Sequence, residues 1–189
     1  ATHRWPDFVA RRIAKARLPL AVVNQGIGGN QVLANGLGAG ALGRFDRDVL
    51  ALPGVSTVIL MEGINDIGFS GSSAPGRPKT DVIKPETIIQ GYRQLIARSH
   101  AKGLRVIGAT MTPFAGSAAY PPAPAAVRTA VPPWIRASGA FDGVVDFELA
   151  TRDPQQPEQL RRDYASRDNI HLNDAGYETM ASAVDLSKL

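Results

Sequence analysis

Residues 55–66 read VSTVILMEGIND. After Thr57 the run is apolar as far as Met61, with no alternation of polar and apolar side chains. Such a run is typical of a strand that is covered on both faces, as the strands of parallel sheets are. In these sheets, functional residues gather in the loops that leave the carboxyl ends of the strands. The polar segment 62–66 is therefore where we expect chemistry.

Elsewhere along the chain, apolar runs alternate with amphipathic helical patterns. Strands are predicted at 20–23, 55–61, 104–109 and 144–147, and helices at 7–17, 40–51, 85–101, 125–138 and 173–185. Strands that alternate with helices indicate a layered α/β fold with a parallel sheet. Pro132 and Pro133 are expected to break or kink the helix that contains them. Loops are predicted at 68–84 and 111–124, and no linker divides the chain.

Composition excludes several classes of function. The 189 residues are 44% hydrophobic and 20% charged, which suits one globular domain with a core. The net charge of +4 comes from scattered Lys and Arg, so no nucleic-acid interface is predicted. Cysteine is absent, which excludes disulfides, thiolate metal sites and a cysteine nucleophile. No apolar run approaches the roughly 18 residues of a membrane span, and the compartment, secreted or cytoplasmic, stays open.

Three stretches contain residues that suit catalysis. Residues 24–30 (NQGIGGN) form a glycine-rich turn that leaves backbone N–H groups accessible to an anionic oxygen. Residues 63–66 (GIND) place an asparagine amide at the end of a strand. An amide and a glycine N–H aimed at one point make an oxyanion hole. In the third stretch Asp168 precedes His171 by three residues, so that a carboxylate can orient an imidazole that acts as a general base.

Each stretch also has a purely structural interpretation. A glycine-rich turn after a strand is often only a tight turn, and this one does not match the dinucleotide pattern because Gln31 occupies the last glycine position. An Asn-Asp pair is commonly a turn or a helix cap. A carboxylate three residues before a histidine can be a capped surface loop.

Taken together, the three stretches resemble the SGNH hydrolases, also called GDSL-type hydrolases, which are named for Ser, Gly, Asn and His in four sequence blocks. The N-x-x-x-x-G form of the glycine block matches at Gly29, and the G-x-N-D block matches at Asn65. The D-x-x-H block matches at Asp168 and His171. The stretches at 3–7 and 62–68 further resemble a bacterial esterase branch of the family.

The resemblance implies a three-layer α/β/α fold with strand order 2-1-3-4-5, and acyl transfer without a metal or organic cofactor. Gly29 and Asn65 would form the oxyanion hole, and His171, oriented by Asp168, would be the base. The side chains expected to line the substrate pocket are apolar and lie near predicted strand ends: Ile27, Ile67, Phe69, Phe114 and Trp134. We expect a short-chain carboxylesterase acting on a small ester. A carbohydrate acetylesterase and a non-catalytic binding relic are the alternatives.

The Gly-Asp-Ser block that carries the family's nucleophile has no counterpart in residues 1–189. In the family it ends the first strand, which lies in the middle of the sheet. Without that strand, 20–23 and 55–61 would leave buried backbone groups unpaired, at roughly 1–3 kcal/mol each. We therefore expect residues 1–189 to be a single, N-terminally incomplete domain that a Gly-Asp-Ser segment completes. The serines of the loop at 69–73 are interpreted as a rim.

Overall fold

A computed structural model describes residues 3–71, 81–117 and 125–189, with the side chains of 125 and 126 left out. The chain divides into two compact units. The first unit comprises Ala1–Asn24, Thr112–Ala119 and Val145–Leu189, and the second comprises Gln25–Met111 and Tyr120–Val144. The predicted rim residues Ser72 and Ser73 lie outside the described residues.

Helices alternate with short strands along the chain, as the α/β pattern predicts. In chain order, the elements are α1 (Trp5–Lys15), α2 (Ala41–Phe45), a π-helical turn (Asp46–Leu50), β1 (Thr57–Leu60), α3 (Ile64–Phe69), α4 (Pro85–Ala101), β2 (Arg105–Ala109), α5 (Ala125–Ala137), β3 (Gly143–Val145), α6 (Phe147–Thr151), α7 (Asp174–Ala183) and a 3-10 turn (Leu186–Lys188).

The strands form one three-stranded parallel sheet in the order β1-β2-β3. In the parallel pair of β1 with β2, Thr57 lies opposite Arg105 and Leu60 lies opposite Gly108. These three strands correspond to the predicted strands at 55–61, 104–109 and 144–147. Their observed order agrees with the last three strands of the SGNH order, and the α/β class is confirmed.

The core of the second unit is built around α4. Its buried face carries Ile88, Tyr92, Leu95 and Ile96, at the spacing that a helix requires to present one apolar stripe. Fully burying one such aliphatic side chain contributes roughly 1.5–3 kcal/mol. The sequence predicts this helix at 85–101, and the structure confirms those bounds.

In the first unit, α1 packs against α7. Val9 and Ile13 of α1 are buried, as is Met180 of α7. The Arg12 guanidinium donates to the carbonyl oxygens of Ala181 and Val184, the latter at 2.7 Å. These carbonyls belong to the end of α7, where a helix has no backbone donors left to satisfy them. Arg12 therefore joins the two helices and caps one of them.

The strand predicted at 20–23 is wrong. Residues 18–26 belong to no sheet, and Leu20 and Val23 are 37% and 64% exposed. A strand needs a neighbouring backbone to accept and donate its ladder hydrogen bonds. No residue in 3–71, 81–117 or 125–189 supplies that neighbour. The apolar run therefore stays irregular and exposed.

The strand predicted at 144–147 starts at Gly143 and ends at Val145. Asp146 instead caps α6, a helix missing from the predicted elements, by accepting from the backbone N–H of Leu149 at 3.0 Å. Aspartate is favoured at this position because it satisfies a helix N–H that has no partner within the helix.

Two predicted helices differ from expectation in their interior. The helix predicted at 40–51 consists of α2 followed by the π-helical turn. The helix that contains Pro132 and Pro133 runs unbroken from Ala125 to Ala137. Each proline removes a backbone donor, but Val131 and Ile135 are 0% and 1% exposed, so core packing holds the helix together. Of the helices that the structure describes, none is long and apolar enough to cross a membrane.

Candidate active site

The predicted acid–base pair is assembled within one short loop of the first unit. Asp168 Oδ2 lies 2.6 Å from His171 Nδ1. Asp168 Oδ1 accepts from the backbone N–H groups of Ile170, at 3.1 Å, and His171, at 3.0 Å. The carboxylate thus holds both the backbone and the ring of the histidine.

These hydrogen bonds set the ionisation of Asp168. Partial desolvation would raise the pKa of its carboxyl, but the donors on His171 and Ile170 outweigh it and lower the pKa to about 2. An ionised carboxylate only accepts hydrogen bonds, so Nδ1 of His171 carries the proton that it shares with Asp168. In the neutral imidazole, Nε2 is then the basic nitrogen, on a ring whose side chain is 71% exposed.

One residue in the left-handed conformation lets the loop turn tightly enough for Asp168 to reach His171. Asn169 has φ 55°, a conformation that asparagine tolerates better than most residues. Ser166 N–H donates to the His171 carbonyl at 2.8 Å, and Asn169 N–H donates to Ser166 O at 3.2 Å. The Asn173 side chain then caps α7 by accepting from Gly176 N–H at 3.0 Å. The histidine is therefore held between a closed turn and a helix start.

The glycine turn of the second unit requires a glycine at position 29. Gly29 has φ 73°, in the left-handed region, and Asn30 N–H closes the turn on Ile27 O at 3.1 Å. A Cβ at position 29 would meet the end of the exposed Leu37 side chain, which can move away. It is therefore the left-handed conformation that favours glycine there.

Asn65 lies in the first turn of α3, not in a loop. Gly63, with φ 105°, turns the chain sharply after β1, so that α3 starts at Ile64. Asn65 Nδ2 donates to the backbone carbonyl of Asn30 at 2.9 Å. The Asn65 amide is thus fastened to the residue that follows Gly29, and the structure brings these two predicted residues together in one unit.

Asp66 is a supporting residue that was not predicted from the sequence. It is 3% exposed and accepts from Val32 N–H at 2.8 Å and from Leu33 N–H at 3.2 Å. Burial raises the pKa of Asp66, against the lowering effect of these hydrogen bonds. It ties α3 to the segment after the glycine turn. An aspartate beside an asparagine suggests a cap, and only the folded chain reveals the distant backbone that it binds.

The residues predicted to line a substrate pocket differ in how far they are exposed. Ile67 and Phe114 are 0% and 6% exposed and are core side chains in their units. Trp134 stacks on Tyr92 with ring centroids 6.1 Å apart. Ile27 is 37% exposed, and Phe69 is half-buried at the end of α3.

Among the described residues, no hydroxyl group is hydrogen-bonded to the imidazole of His171. Across the described residues of the first unit, no serine hydroxyl is hydrogen-bonded to His171. Ser70 of the predicted rim donates to Ile67 O at 2.8 Å at the end of α3. Over the same three described ranges, no group of three or more His, Cys, Asp or Glu could hold a metal ion.

The sequence of residues 1–179 matches the GDSL-like lipase/acylhydrolase family. The chain belongs to this family. Membership confirms the SGNH, or GDSL-type, resemblance and identifies the chain as a hydrolase of acyl compounds. A search of curated proteins found no match.

Solved structures with the same fold include several esterases. An acetyl xylan esterase is 18% identical, with a TM-score of 0.69, covering 96% of this chain and 88% of that one. An acetyl-xylooligosaccharide esterase from Geobacillus, solved as a mutant, is 20% identical, with a TM-score of 0.69, covering 95% of this chain and 78% of that one. A psychrotrophic esterase from Pseudoalteromonas is 16% identical, with a TM-score of 0.64, covering 96% of this chain and 83% of that one. At these identities the likeness shows the SGNH-hydrolase fold.

Proposed function

We propose that this GDSL-family chain is the base-and-oxyanion part of a serine carboxylesterase that hydrolyses short-chain acyl esters. The observation that carries the proposal is the Asp168–His171 pair, with its 2.6 Å contact at Nδ1 and its highly exposed ring. A base that is oriented on one nitrogen and open on the other suits proton transfer to and from a reacting hydroxyl.

In this mechanism a serine hydroxyl attacks the ester carbonyl as His171 Nε2 removes its proton. The ionised Asp168 stabilises the imidazolium that forms, and His171 then returns the proton to the leaving alcohol. Water, activated by the same imidazole, cleaves the acyl-enzyme and regenerates the serine. No cofactor is required for any of these steps.

The backbone N–H of Gly29 and the side-chain amide of Asn65 would stabilise the oxyanion of the tetrahedral intermediate. Their support is the shared anchor at Asn30, which fixes both donors within the second unit. Removing one such donor typically costs about 2.7–4 kcal/mol of transition-state stabilisation.

We propose further that the serine comes from a Gly-Asp-Ser segment outside residues 1–189, which completes a single domain. Two observations support this. β1 pairs only with β2 among the described strands, so its other edge has no ladder partner. The side chains of Leu18, Leu20 and Val23 in the apolar segment at 18–24 are exposed. A strand from that segment would give β1 a second ladder partner, and the exposed apolar side chains of 18–24 call for a covering segment.

A carbohydrate acetylesterase is the second candidate. Two proteins that share this fold, at 18% and 20% identity, are named as an acetyl xylan esterase and an acetyl-xylooligosaccharide esterase, which is the support for a sugar ester as substrate. Comparing p-nitrophenyl acetate with acetylated xylooligosaccharides as substrates would separate the two candidates, since a sugar esterase would show the higher kcat/KM on the latter.

The test of the proposed function is His171→Ala in the native protein that contains these residues. We expect hydrolysis of p-nitrophenyl acetate to fall by about 10³-fold or more, because triad enzymes without their base retain only the rate that the oxyanion hole and substrate binding supply. His100→Ala is the matched control, since that exposed histidine pairs with Asp142 at 2.9 Å. Undiminished turnover by His171→Ala would show that His171 is not the catalytic base, and no turnover by the native protein would favour a non-catalytic binding role.

A further inference from the structure

Arg44 of α2 is a buried cation in the second unit. Its side chain is 7% exposed, with Nη1 at 3.2 Å from Asp48 Oδ2 and Nη2 at 3.5 Å from Glu62 Oε1. A buried charge is tolerated only when it is paired and hydrogen-bonded. The two carboxylates meet that need, which leaves three further hydrogen bonds of the guanidinium to be explained.

These three hydrogen bonds connect Arg44 to the glycine turn. Arg44 Nε and Nη2 both donate to Asn30 Oδ1, at 3.0 and 2.8 Å, and Nη1 donates to Gln25 O at 2.6 Å. The guanidinium is a planar, rigid fork, so this arrangement fixes the orientation of the Asn30 amide as a flexible ammonium would not. Asn30 itself is 1% exposed.

Asn30 is the junction between the two proposed oxyanion donors. It directly follows Gly29, and its own N–H closes the turn on Ile27 O at 3.1 Å. Its carbonyl accepts from Asn65 Nδ2 at 2.9 Å, and its Nδ2 donates to Ala39 O at 2.9 Å. A shift of Asn30 would therefore move the Gly29 N–H and the Asn65 amide together.

We propose that Arg44 is a positioning residue for the oxyanion hole and acts through the side chain of Asn30. The proposal rests on the proposed function, because it assigns to Gly29 and Asn65 the role of oxyanion donors. Arg44 touches neither substrate nor reacting atoms. Its effect is to hold two donors at the spacing that the transition state requires.

The test compares Arg44→Lys with Asp48→Asn in the native protein. Lysine keeps the charge beside Asp48 and Glu62 but cannot hold Asn30 with a two-pronged contact. Asp48→Asn disturbs the same guanidinium at Nη1, which makes no contact with the Asn30 side chain. We expect Arg44→Lys to lower kcat by about 10²-fold with KM within about twofold, the scale of loss for a small misplacement. We expect Asp48→Asn to change kcat by less than about threefold, because it leaves the contact with Asn30 in place.

Hydrogen exchange of the amides at 26–33 supplies a readout that does not depend on activity. Arg44→Lys should accelerate exchange there, and Asp48→Asn should not. Equal effects of the two variants on kcat and on exchange would overturn the positioning role, since a residue that only stabilises the fold predicts that equality. If Asn65→Ala leaves kcat unchanged, the proposed function fails even where exchange at 26–33 responds as expected.

A second variant keeps the proposal testable if Arg44→Lys does not fold. Asn30→Ala removes the acceptor of the fork and leaves the carboxylate partners of Arg44 in place. Asn30→Ala should by itself lower kcat by about 10²-fold, and an unchanged kcat would overturn the proposal. Where Arg44→Lys folds, the double variant should be little worse than either single one, because both changes break the same contact. Additive losses in the double variant would show that Arg44 does not act through Asn30.

Discussion

At the level of single residues, a loop of four residues holds His171 by both its backbone and its ring. Asp168 accepts three hydrogen bonds, two from backbone N–H groups and one from the imidazole. The spacing of Asp168 and His171 was visible in the sequence. The left-handed conformation of Asn169, which makes the three bonds possible at once, was not, because asparagine occurs in many other conformations.

The conformation of Asn169 leads to a prediction about the loop. Asn169→Val should impair the pair, because a β-branched residue at φ 55° is disfavoured by roughly 1–2 kcal/mol and forces the turn to relax. Asn169→Gly is the matched control, since glycine adopts this conformation freely and both variants lose the same side-chain contact to Gly116. We expect kcat to fall for the valine variant and to stay near the native value for the glycine variant. Equal kcat values for the two would show that the turn conformation does not matter.

The supporting residues of the second unit could not be predicted from the sequence alone. Arg44 occurs in a predicted helix beside apolar neighbours, and nothing local says that it turns inward. Its burial, and the burial of Asn30 and Asp66, follow from packing of segments that are far apart in the chain. The residue types in a motif reveal which groups can do chemistry, whereas the side chains that hold them are selected by three-dimensional contacts.

At the scale of elements, helices with a clear apolar stripe were predicted best. The helix α4 follows its pattern because four apolar side chains share one face. The predicted strand at 20–23 failed because a strand is stabilised by its neighbour and not by its own sequence. In α5, two prolines suggested a break, but buried side chains on both sides of them outweighed the lost hydrogen bonds.

The turn between β1 and α3 leads to a prediction about pH. Burial raises the pKa of Glu62 from 4.5 to about 7, against the lowering effect of Arg44, with Asp66 adding a smaller rise. Because the native state then binds a proton that the unfolded state releases, stability is greatest below pH 4.5 for this group and is lost as the pH rises through 7. The free energy of unfolding should fall by about 3 kcal/mol between pH 4.5 and 8 on account of Glu62.

Glu62→Gln should remove this slope, as measured by urea unfolding at pH 5 and at pH 8. Glu86→Gln, an exposed position at the start of α4, is the control and should leave the slope unchanged. The same loss of stability in Glu62→Gln as in the native protein would assign the pH dependence to other groups.

At the scale of the whole molecule, the family, the fold class and the order of the three strands agree with the sequence interpretation. An open α/β sheet presents functional residues at the carboxyl ends of its strands, and in this chain the Asn block follows β1 in that way. The proposed Gly-Asp-Ser segment is the remaining element, and we propose that it pairs with the edge of β1 that no described strand occupies.

The most direct test of the central claim is to label the native protein with a serine-directed phosphonate and to identify the modified peptide by mass spectrometry. We predict a single modified serine in a Gly-Asp-Ser sequence outside residues 1–189, and a labelling rate that collapses in His171→Ala. Labelling of Ser70 or of another serine within residues 1–189, or labelling that does not depend on His171, would contradict the account.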